Sequence, residues 1–410
     1  MSATRTFVIV GGGLAGARLA EELRGKDFDG SIVLFCAEER LPYERPPLSK
    51  EHLTGGKPLT EFTVHPADWY RDHHIDLRLG TTVTALDPAA HTVTLPDGGT
   101  VHYDKAALAT GSRSRRPPIP GADADRVHYL RTVDESDALL AALRHGTRLV
   151  IVGAGWIGLE VAAAARGRGA TVTVVETAPL PLLGALGPEM GTVFAELHRE
   201  HGVDLRLESA VDAVVTADGR ATGVRLGSGD VVDADAVLIA VGAQPNVELA
   251  RDAGLAVDGG VLVDAGLSTS DPDIVAVGDI AAQEHPVLRT RVRVEHWATA
   301  LNQPAVAAAT MLGHRAEYTT LPYFFTDQYD LGMEYVGHTP TGYARVVLRG
   351  DAARHEFVAF WLDDRDRVLA GMNVNVWDVT DDVKALIGSG RAVDADRLAD
   401  PAVALGETYR

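Results

Sequence analysis

A glycine-rich strand, turn and helix pattern occurs twice in this chain and limits the folds it can adopt. The first copy spans residues 6–24 (TFVIVGGGLAGARLAEELR), and the second starts at residue 148 with RLVIVGAGWIGLEV. In each copy a short apolar run leads into the spacing GxGxxG, and small or apolar residues follow at helical intervals. The repetition predicts an α/β protein with two Rossmann-like dinucleotide-binding domains.

Each glycine of the motif has its own physical role. The first permits a tight turn, the second lets a pyrophosphate approach the backbone, and the third lets the helix pack on the strand. The N-terminus of the helix then faces the phosphates. The glycines are Gly11, Gly13 and Gly16 in the first copy and Gly153, Gly155 and Gly158 in the second.

An acidic residue ends the second strand of each unit. Glu38 lies 22 residues after Gly16, and Glu176 lies 18 residues after Gly158. Both spacings are near the ~20 residues expected for an acid that binds a ribose hydroxyl. Because the carboxylate of Glu176 repels a 2′-phosphate and no arginine follows in TAPLPLL, NADH is predicted rather than NADPH. Two such sites in one chain predict a flavin and a nicotinamide.

Further motifs lie where a flavin domain needs them. KAALATGSR (105–113) and AVLIAVGAQPN (236–246) each predict a buried strand that ends in a glycine turn, where the chain passes between domains. In DIVAVGDI, Asp279 follows a strand and is expected to bind a flavin ribitol hydroxyl. In VEHWATALNQ, residues 295–297 are predicted to open a helix whose positive end stabilises negative charge on reduced flavin.

The charge balance restricts the possible partners. The net charge of −19 argues against a nucleic-acid partner, and an acidic protein partner requires a local basic patch. Two stretches are rich in arginine and contain no acid: Arg113, Arg115 and Arg116, and Arg289, Arg291 and Arg293. The second stretch is the better docking site, because it precedes the predicted flavin-contacting helix.

The cysteine, the histidines and the N-terminal apolar run indicate function less strongly than the glycine motifs do. Cys36, the one cysteine, lies in the apolar run SIVLFCAEE and is interpreted as a small buried hydrophobe. His198 and His201 have no further metal ligands nearby and are interpreted as a solvated helix face, so no metal is predicted. The apolar run FVIV near the N-terminus is too short for a signal peptide or a membrane span, so we expect a cytoplasmic protein.

Taken in order, several segments resemble the FAD-dependent NADH:ferredoxin reductases, the class of putidaredoxin reductase and the reductases of dioxygenase systems. The segments are LPYERPPLSK, ATG, the second GxGxxG with Glu160, VGD, VEHW and PYFFTDQYDLGMEYVG. The resemblance covers nearly the whole chain. It implies an FAD-binding domain over 1–113 and 243–319, an NAD-binding domain over 114–242, and a C-terminal α+β domain over 320–410 that covers the flavin.

The resemblance also implies site residues. FAD contacts are implied at Gly11, Gly13, Leu14, Ala15, Gly16, Glu38, Arg45, Lys50, Arg131, Asp279, His296 and Trp297. NADH contacts are implied at Gly153, Gly155, Ile157, Gly158, Glu160, Glu176 and Gly242. The chain departs from its relatives at three positions: Phe325 stands where they often carry tryptophan, Pro304 where they often carry glycine, and Ala37 where they frequently carry aspartate. Pro304 leaves the start of the predicted helix open.

A lysine behind two prolines is the predicted centre of the chemistry. Pro46 and Pro47 fix two backbone dihedrals, so the segment ERPPLSK holds its shape with little entropy left to lose. The resemblance pairs Lys50 with Glu160 beside flavin N5 and the nicotinamide. We interpret the two as catalytic residues that position the hydride donor and balance charge as the flavin is reduced.

The absence of a cysteine from the PPLSK region defines the second half-reaction. Disulfide reductases and NADH peroxidases on this scaffold place a thiol there, so here electrons are expected to leave the flavin directly, for an iron-sulfur ferredoxin that feeds a monooxygenase or dioxygenase. Two alternatives stay open. One is a rubredoxin reductase, and the other is an NADH-sensing signalling flavoprotein of the apoptosis-inducing-factor type.

Residues 355–372 are predicted to form a hairpin, followed by an amphipathic helix.

Overall fold

The structure is a computed structural model that describes residues 5–339 and 342–410. Backbone contacts divide the chain into two compact units. The first contains the residues up to Glu44, Phe62–Arg113 and Pro245–Phe324, and the second contains Arg45–Glu61, Ser114–Gln244 and Phe325–Arg410. The predicted division into three domains stays a prediction.

The N-terminal part of the chain alternates strands with two helices. Its strands are β1 Thr6–Val10, β2 Ser31–Phe35, β3 Ile75–Arg78, β4 Ala85–Asp87, β5 Thr92–Thr94, β6 Thr100–His102, β7 Lys105–Leu108 and β8 Ser112–Ser114. Its helices are α1 Leu14–Gly25 and α2 Ala67–Asp72, and short 3-10 turns span Pro46–Ser49 and Leu59–Glu61.

The middle of the chain repeats the alternation. Its strands are β9 Val127–His128, β10 Arg148–Val152, β11 Thr171–Val175, β12 Asp204–Arg206, β13 Val211–Ala217, β14 Arg220–Leu226, β15 Val231–Asp233, β16 Ala236–Ile239 and β17 Ala243–Pro245. Its helices are α3 Val133–Ala142, α4 Trp156–Gly167, α5 Leu183–Glu200 and α6 Glu248–Asp252.

The last part of the chain is mostly antiparallel. Its strands are β18 Val261–Val263, β19 Ile274–Ala276, β20 Ala281–His285, β21 Thr290–Arg293, β22 Tyr323–Gln328, β23 Leu331–Gly337, β24 Arg345–Asp351, β25 Glu356–Leu362 and β26 Val368–Val374. Its helices are α7 Trp297–Met311, α8 Thr380–Ser389 and α9 Ala395–Ala399, with 3-10 turns at Gly278–Ile280, Ala352–Arg354 and Leu405–Glu407.

Each unit contains a five-stranded parallel sheet with a glycine-turn strand inside it. In the first unit the order is β19-β7-β1-β2-β3, and in the second it is β12-β11-β10-β16-β9. Val10 of β1 pairs with Phe35 and Leu108, just as Val152 of β10 pairs with Val175 and Ile239. The carboxyl ends of three adjacent strands therefore lie level, and ligands of open parallel sheets bind beyond such ends.

The C-terminal residues form a five-stranded sheet in the order β22-β23-β26-β25-β24. The predicted hairpin is present as β25 and β26, which pair antiparallel, and the predicted helix is α8, which ends at the left-handed Gly390. Within the second unit, the indole Nε1 of the buried Trp361 donates to the carbonyl of Leu186 at 3.1 Å. This bond attaches the sheet to α5.

The structure shows where the helix that contains Pro304 begins, which the sequence alone left open. It begins at Trp297, as the VEHW motif predicts, and continues to Met311 with Pro304 inside it. Its N-cap is His296 in an extended conformation. The substitution of proline for the usual glycine therefore does not move the start of the helix.

Candidate functional site

The three glycines of the first turn differ in the space around them. Gly11 has φ 121°, and a Cβ placed on it would lie 2.1 Å from the carbonyl oxygen of Ala109. A Cβ on Gly16 would lie 1.9 Å from the carbonyl oxygen of Gly11, whereas one on Gly13 would meet no atom of the described residues within 4 Å. Packing therefore requires glycine at the first and third positions, and the second faces open space at the start of α1, where a diphosphate binds.

The second glycine turn has the same geometry. Gly153 has φ 105°, and its Cβ would lie 2.5 Å from the carbonyl oxygen of Ala240. The Cβ of Gly158 would lie 2.2 Å from the carbonyl oxygen of Gly153, and a Cβ on Gly155 would again meet no described atom within 4 Å. Within the part of the chain that the structure describes, no side chain caps α1 or α4. Both turns thus fit a dinucleotide.

Both strand-end acids have defined partners. The hydroxyl of Tyr43 donates to Glu38 Oε2 at 2.5 Å. Glu176 Oε2 accepts from the backbone N–H of Ala154 at 2.8 Å, and its Oε1 accepts from Ala178 N–H at 3.0 Å. The carboxylate of Glu176 is therefore held at the glycine turn, where the ribose hydroxyl of a bound dinucleotide is expected.

The remaining predicted residues of the first unit lie on turns and helix starts. Leu14 and Ala15 begin α1 and are buried. Asp279 follows β19 in the turn Gly278–Ile280 and is 8% exposed, while the amide N–H of Gly278 donates to Gln303 Oε1 on α7 at 2.8 Å. The imidazole of His296 lies 4.9 Å from the ring of Phe324. The sequence-predicted residues of this unit thus occupy the positions that the motifs gave them.

In the second unit, α3 orients one of the predicted arginines. Thr132 and Glu135 form a capping box at its start, and Glu135 Oε2 also accepts from the backbone N–H of Arg131 at 2.7 Å. The guanidinium of Arg45 donates to the carbonyl of Arg131. The two arginines are therefore neighbours in the structure, although 86 residues separate them in the sequence.

The nicotinamide-side residues beyond the glycine turn include an exposed apolar group. Ile157, on the first turn of α4, is 41% exposed. Gly242 follows β16 with φ 103°, and a Cβ on it would meet no atom of residues 5–339 and 342–410 within 4 Å. Both residues border open space, as a binding role requires.

Lys50 and Glu160 form a buried ion pair in the second unit. Lys50 Nζ lies 2.8 Å from Glu160 Oε1, and the two side chains are 10% and 4% exposed. The ring of Phe325 lies under the ammonium group, with its centroid 5.5 Å from Nζ. The contact that the resemblance implied is present, and its catalytic role stays a prediction.

Two hydroxyl groups complete the surroundings of Glu160. Ser49 Oγ donates to Glu160 Oε2 at 2.5 Å, and Thr326 Oγ1 donates to Glu160 Oε1 at 2.6 Å. With Lys50, the carboxylate has three donors, which compensate the loss of water around a buried charge. Neither hydroxyl was predicted. Ser49 directly precedes Lys50 in PPLSK, and Thr326 lies in FFTDQ, so both belonged to segments already singled out.

Of the two histidines at the C-terminal end of α5, one does not lie on the solvated face that the sequence predicted. His198 is fully buried, and its Nε2 lies 2.9 Å from Gln328 Oε1. Burial lowers the pKa of His198 to about 4. The prediction is wrong for this residue because β22 covers that side of the helix. His201 is half-buried and stacks on Tyr329 at 3.7 Å.

Cys36 is buried as predicted, at 1% exposure. Burial, with the nearby Glu38 carboxylate, raises the pKa of its thiol to about 12. Its Sγ fills the space next to Gly12, where a Cβ would lie 1.9 Å away. The thiol therefore packs the first glycine turn and is not a nucleophile at neutral pH.

Comparison with protein families identifies the chain. A family model described as pyridine nucleotide-disulphide oxidoreductase matches residues 5–303, and one described as reductase C-terminal matches residues 323–409. The chain belongs to this oxidoreductase family. A relative from Burkholderia cepacia, the ferredoxin–NAD(+) reductase component of the anthranilate 1,2-dioxygenase system, is 44% identical over 97% of this chain and 98% of its own.

Further similar proteins are also reductases. Putidaredoxin reductase from Pseudomonas putida is 36% identical over 99% of this chain and 97% of its own. The crystal structure of the covalent putidaredoxin reductase–putidaredoxin complex matches with a TM-score of 0.95 and 36% identity, over 99% of this chain and 98% of that one. The predicted family, fold class, oxidoreductase activity and use of FAD and NAD(H) are confirmed.

Within residues 5–339 and 342–410, no helix has the length and apolar character that crossing a membrane requires.

The glycine geometry predicts separate losses of the two cofactors. Gly16→Ala should weaken FAD binding by at least about tenfold, because the methyl group meets a backbone carbonyl, and Gly158→Ala should weaken NAD⁺ binding similarly while the protein keeps its flavin. Flavin absorbance per chain and NAD⁺ titration measure the two effects.

Each variant has a matched control on the same helix. A Cβ placed on Gly25 of α1 or on Gly167 of α4 would meet no described atom within 4 Å, so Gly25→Ala and Gly167→Ala should leave both affinities unchanged. If Gly158→Ala bound NAD⁺ as tightly as Gly167→Ala, the second turn would not be the nicotinamide dinucleotide site.

Proposed function

We propose that this protein transfers electrons from NADH through FAD to an iron-sulfur ferredoxin that serves an oxygenase. One observation carries the proposal: a chain with two dinucleotide turns contains a single cysteine, and that thiol is buried and protonated at neutral pH. Electrons therefore leave the flavin without a thiol relay. The relatives named above, which are ferredoxin–NAD(+) and putidaredoxin reductases, support the same acceptor class.

The acid of the second unit supports NADH as the donor. Glu176 directly follows β11 and already accepts two backbone N–H groups, so its carboxylate stays at the turn. A carboxylate there accepts a hydrogen bond from a 2′-hydroxyl and repels a 2′-phosphate.

Bound FAD supplies the chemistry that amino-acid side chains lack, since it accepts two electrons together and releases them one at a time. The contribution of the chain is binding and electrostatics. Lys50 supplies a positive charge that is desolvated and fixed by Glu160, and a fixed charge in a low-dielectric site stabilises developing negative charge more strongly than water does. We assign Lys50 and Glu160 this role at the nicotinamide and flavin.

The proposed binding regions for FAD and NADH follow the predicted domains. We assign FAD to residues 1–113 and 243–319, NADH to 114–242, and the cover of the flavin to 320–410. The match of the C-terminal family model to residues 323–409 supports the last boundary.

Two arginines of the strand pair β20 and β21 are the proposed ferredoxin contacts. Arg289 and Arg291 are exposed, and the apolar side chain of Val287 beside them is 43% exposed. Arg293 is less suited to docking, because it is only 26% exposed and forms an ion pair with Glu295, whereas Arg291 stays 39% exposed although it lies 3.8 Å from Glu284 and donates to the carbonyl of Ala282. Positive charge around an apolar centre attracts and orients an acidic partner. We therefore assign docking to Arg289 and Arg291.

The Lys50 assignment predicts a slow variant. Lys50→Met should lower the rate of flavin reduction by NADH by about 10-fold to 100-fold, because the fixed positive charge is lost and Glu160 stays buried without its cation. Anaerobic rapid mixing with detection at the flavin absorbance band measures this rate. Lys384→Met is the control, since Lys384 is half exposed on α8 and pairs with Asp381. Equal rates for both variants would remove Lys50 from the mechanism.

The docking assignment predicts a salt-dependent loss. The double variant Arg289→Glu, Arg291→Glu should lower kcat/KM for a [2Fe-2S] ferredoxin by about tenfold at low salt and flatten its dependence on ionic strength, because electrostatic steering is removed. Flavin reduction by NADH should not change. Arg315→Glu alters a side chain that is 93% exposed in the same unit and serves as the control. An unaltered salt profile of the double variant would place the ferredoxin elsewhere.

A further inference from the structure

A buried chain of hydrogen bonds runs from Glu160 to His198 through strand β22. Thr326 Oγ1 lies 2.6 Å from Glu160 Oε1, Gln328 Nε2 lies 3.2 Å from Thr326 Oγ1, and His198 Nε2 lies 2.9 Å from Gln328 Oε1. All four side chains are less than 5% exposed. Thr326 and Gln328 are two residues apart on a strand, so they project from the same face.

The chemistry of the four groups fixes the direction of every bond. An ionised Glu160 can only accept, so the hydroxyl proton of Thr326 points to it. The oxygen of Thr326 then accepts from the amide of Gln328, and the amide oxygen of Gln328 must accept from an N–H of His198. The imidazole is therefore protonated at Nε2, and its bare Nδ1 lies 3.3 Å from the hydroxyl of Tyr329.

This chain of hydrogen bonds does not conduct protons. An amide that passes on a proton must become an imidic acid, and Gln328 interrupts the chain with such a group. The low pKa of His198, about 4 because of burial, keeps the imidazole neutral at the far end. A hydrogen-bond chain of fixed direction that ends on a carboxylate instead orients that carboxylate.

We propose that Thr326 and Gln328 are positioning residues for the reductive half-reaction, and that they act by holding Glu160 in the orientation that fixes Lys50. The inference rests on the proposed role of the Lys50 and Glu160 pair. Thr326 donates to the same oxygen, Oε1, that Lys50 contacts, so loss of the hydroxyl removes one of the donors that orient that oxygen toward Lys50. Ser49 occupies the other oxygen, Oε2, and cannot replace the missing donor.

The first test compares Thr326→Val with Thr326→Ser in the FAD-loaded full chain. Valine keeps the shape and removes the hydroxyl, whereas serine restores it. In anaerobic rapid mixing, Thr326→Val should lower the limiting rate of flavin reduction by roughly tenfold, the effect of a hydrogen bond to a buried charge. The NADH dissociation constant should change less than about twofold, and Thr326→Ser should recover most of the rate.

Thr408→Val is the matched control. Thr408 is fully buried in the same unit, and its hydroxyl donates to the carbonyl of Leu405 at 2.7 Å, far along the chain from Glu160. The Thr408→Val variant loses a hydroxyl group from an equally buried site, so its limiting rate of flavin reduction should stay at the wild-type value. If Thr326→Val should fail to fold, Gln328→Leu removes the next bond of the chain and should also lower the limiting rate.

A second readout does not depend on turnover. Nitrogen NMR of labelled histidine, with the His198 signal identified by its loss in His198→Phe, reports which ring nitrogen carries the proton. The wild-type protein should show the Nε2–H tautomer. Thr326→Val should show a mixture, because the amide of Gln328 is no longer held in one orientation.

Three results would overturn the inference: a wild-type limiting rate in Thr326→Val and Gln328→Leu, a Thr326→Ser variant as slow as Thr326→Val, or an Nδ1–H tautomer at His198 in the wild type. Failure of the proposed function has a different outcome, since the wild-type flavin would then either not be reduced by NADH or, once reduced, would pass no electrons to a [2Fe-2S] ferredoxin. A flavin that NADH reduces equally fast in wild type and variants contradicts the positioning role alone.

Discussion

The buried carboxylate of Glu160 is the constraint on which the centre of the second unit depends. A buried charge is tolerated only when it is paired and hydrogen-bonded, and removing one partner of such a pair costs about 3–5 kcal/mol. The donors come from two separate segments, the turn that carries Ser49 and Lys50 and the strand that carries Thr326. The carboxylate therefore fixes three elements at one point: that turn, the helix α4 and the strand β22.

The two glycine turns share one local geometry. In both, the first and third glycines are crowded by backbone carbonyls and the second faces open space. The two units differ in the residues that surround the turn. In the first unit Glu38 is held by a tyrosine hydroxyl and the turn is packed by a cysteine, whereas in the second Glu176 is held by backbone N–H groups. The surroundings of the two turns thus differ, although their backbone shape is the same.

The sequence predicted features that depend on local backbone rules. The glycine spacing, the acids at strand ends, the helix after VEHW and the C-terminal hairpin are all as expected, because each depends on a few adjacent residues. His198 was misjudged because its partner Gln328 lies 130 residues away, and the hydroxyl of Thr326 reaches Glu160 across 166 residues. The pair of Arg293 and Glu295 was overlooked although the residues are close in sequence, since alternation along a strand suggested that the arginine faces solvent.

The proposed route takes electrons from NADH through FAD to a ferredoxin without a thiol. Anaerobic rapid mixing of the FAD-loaded protein, first with NADH and then with an oxidised [2Fe-2S] ferredoxin, tests it most directly. We expect rapid bleaching of the flavin band by NADH, followed by its recovery as the ferredoxin is reduced, with rubredoxin as the comparison acceptor. A flavin that stops at a stable charge-transfer species and passes no electrons to the ferredoxin would contradict it and favour a signalling flavoprotein.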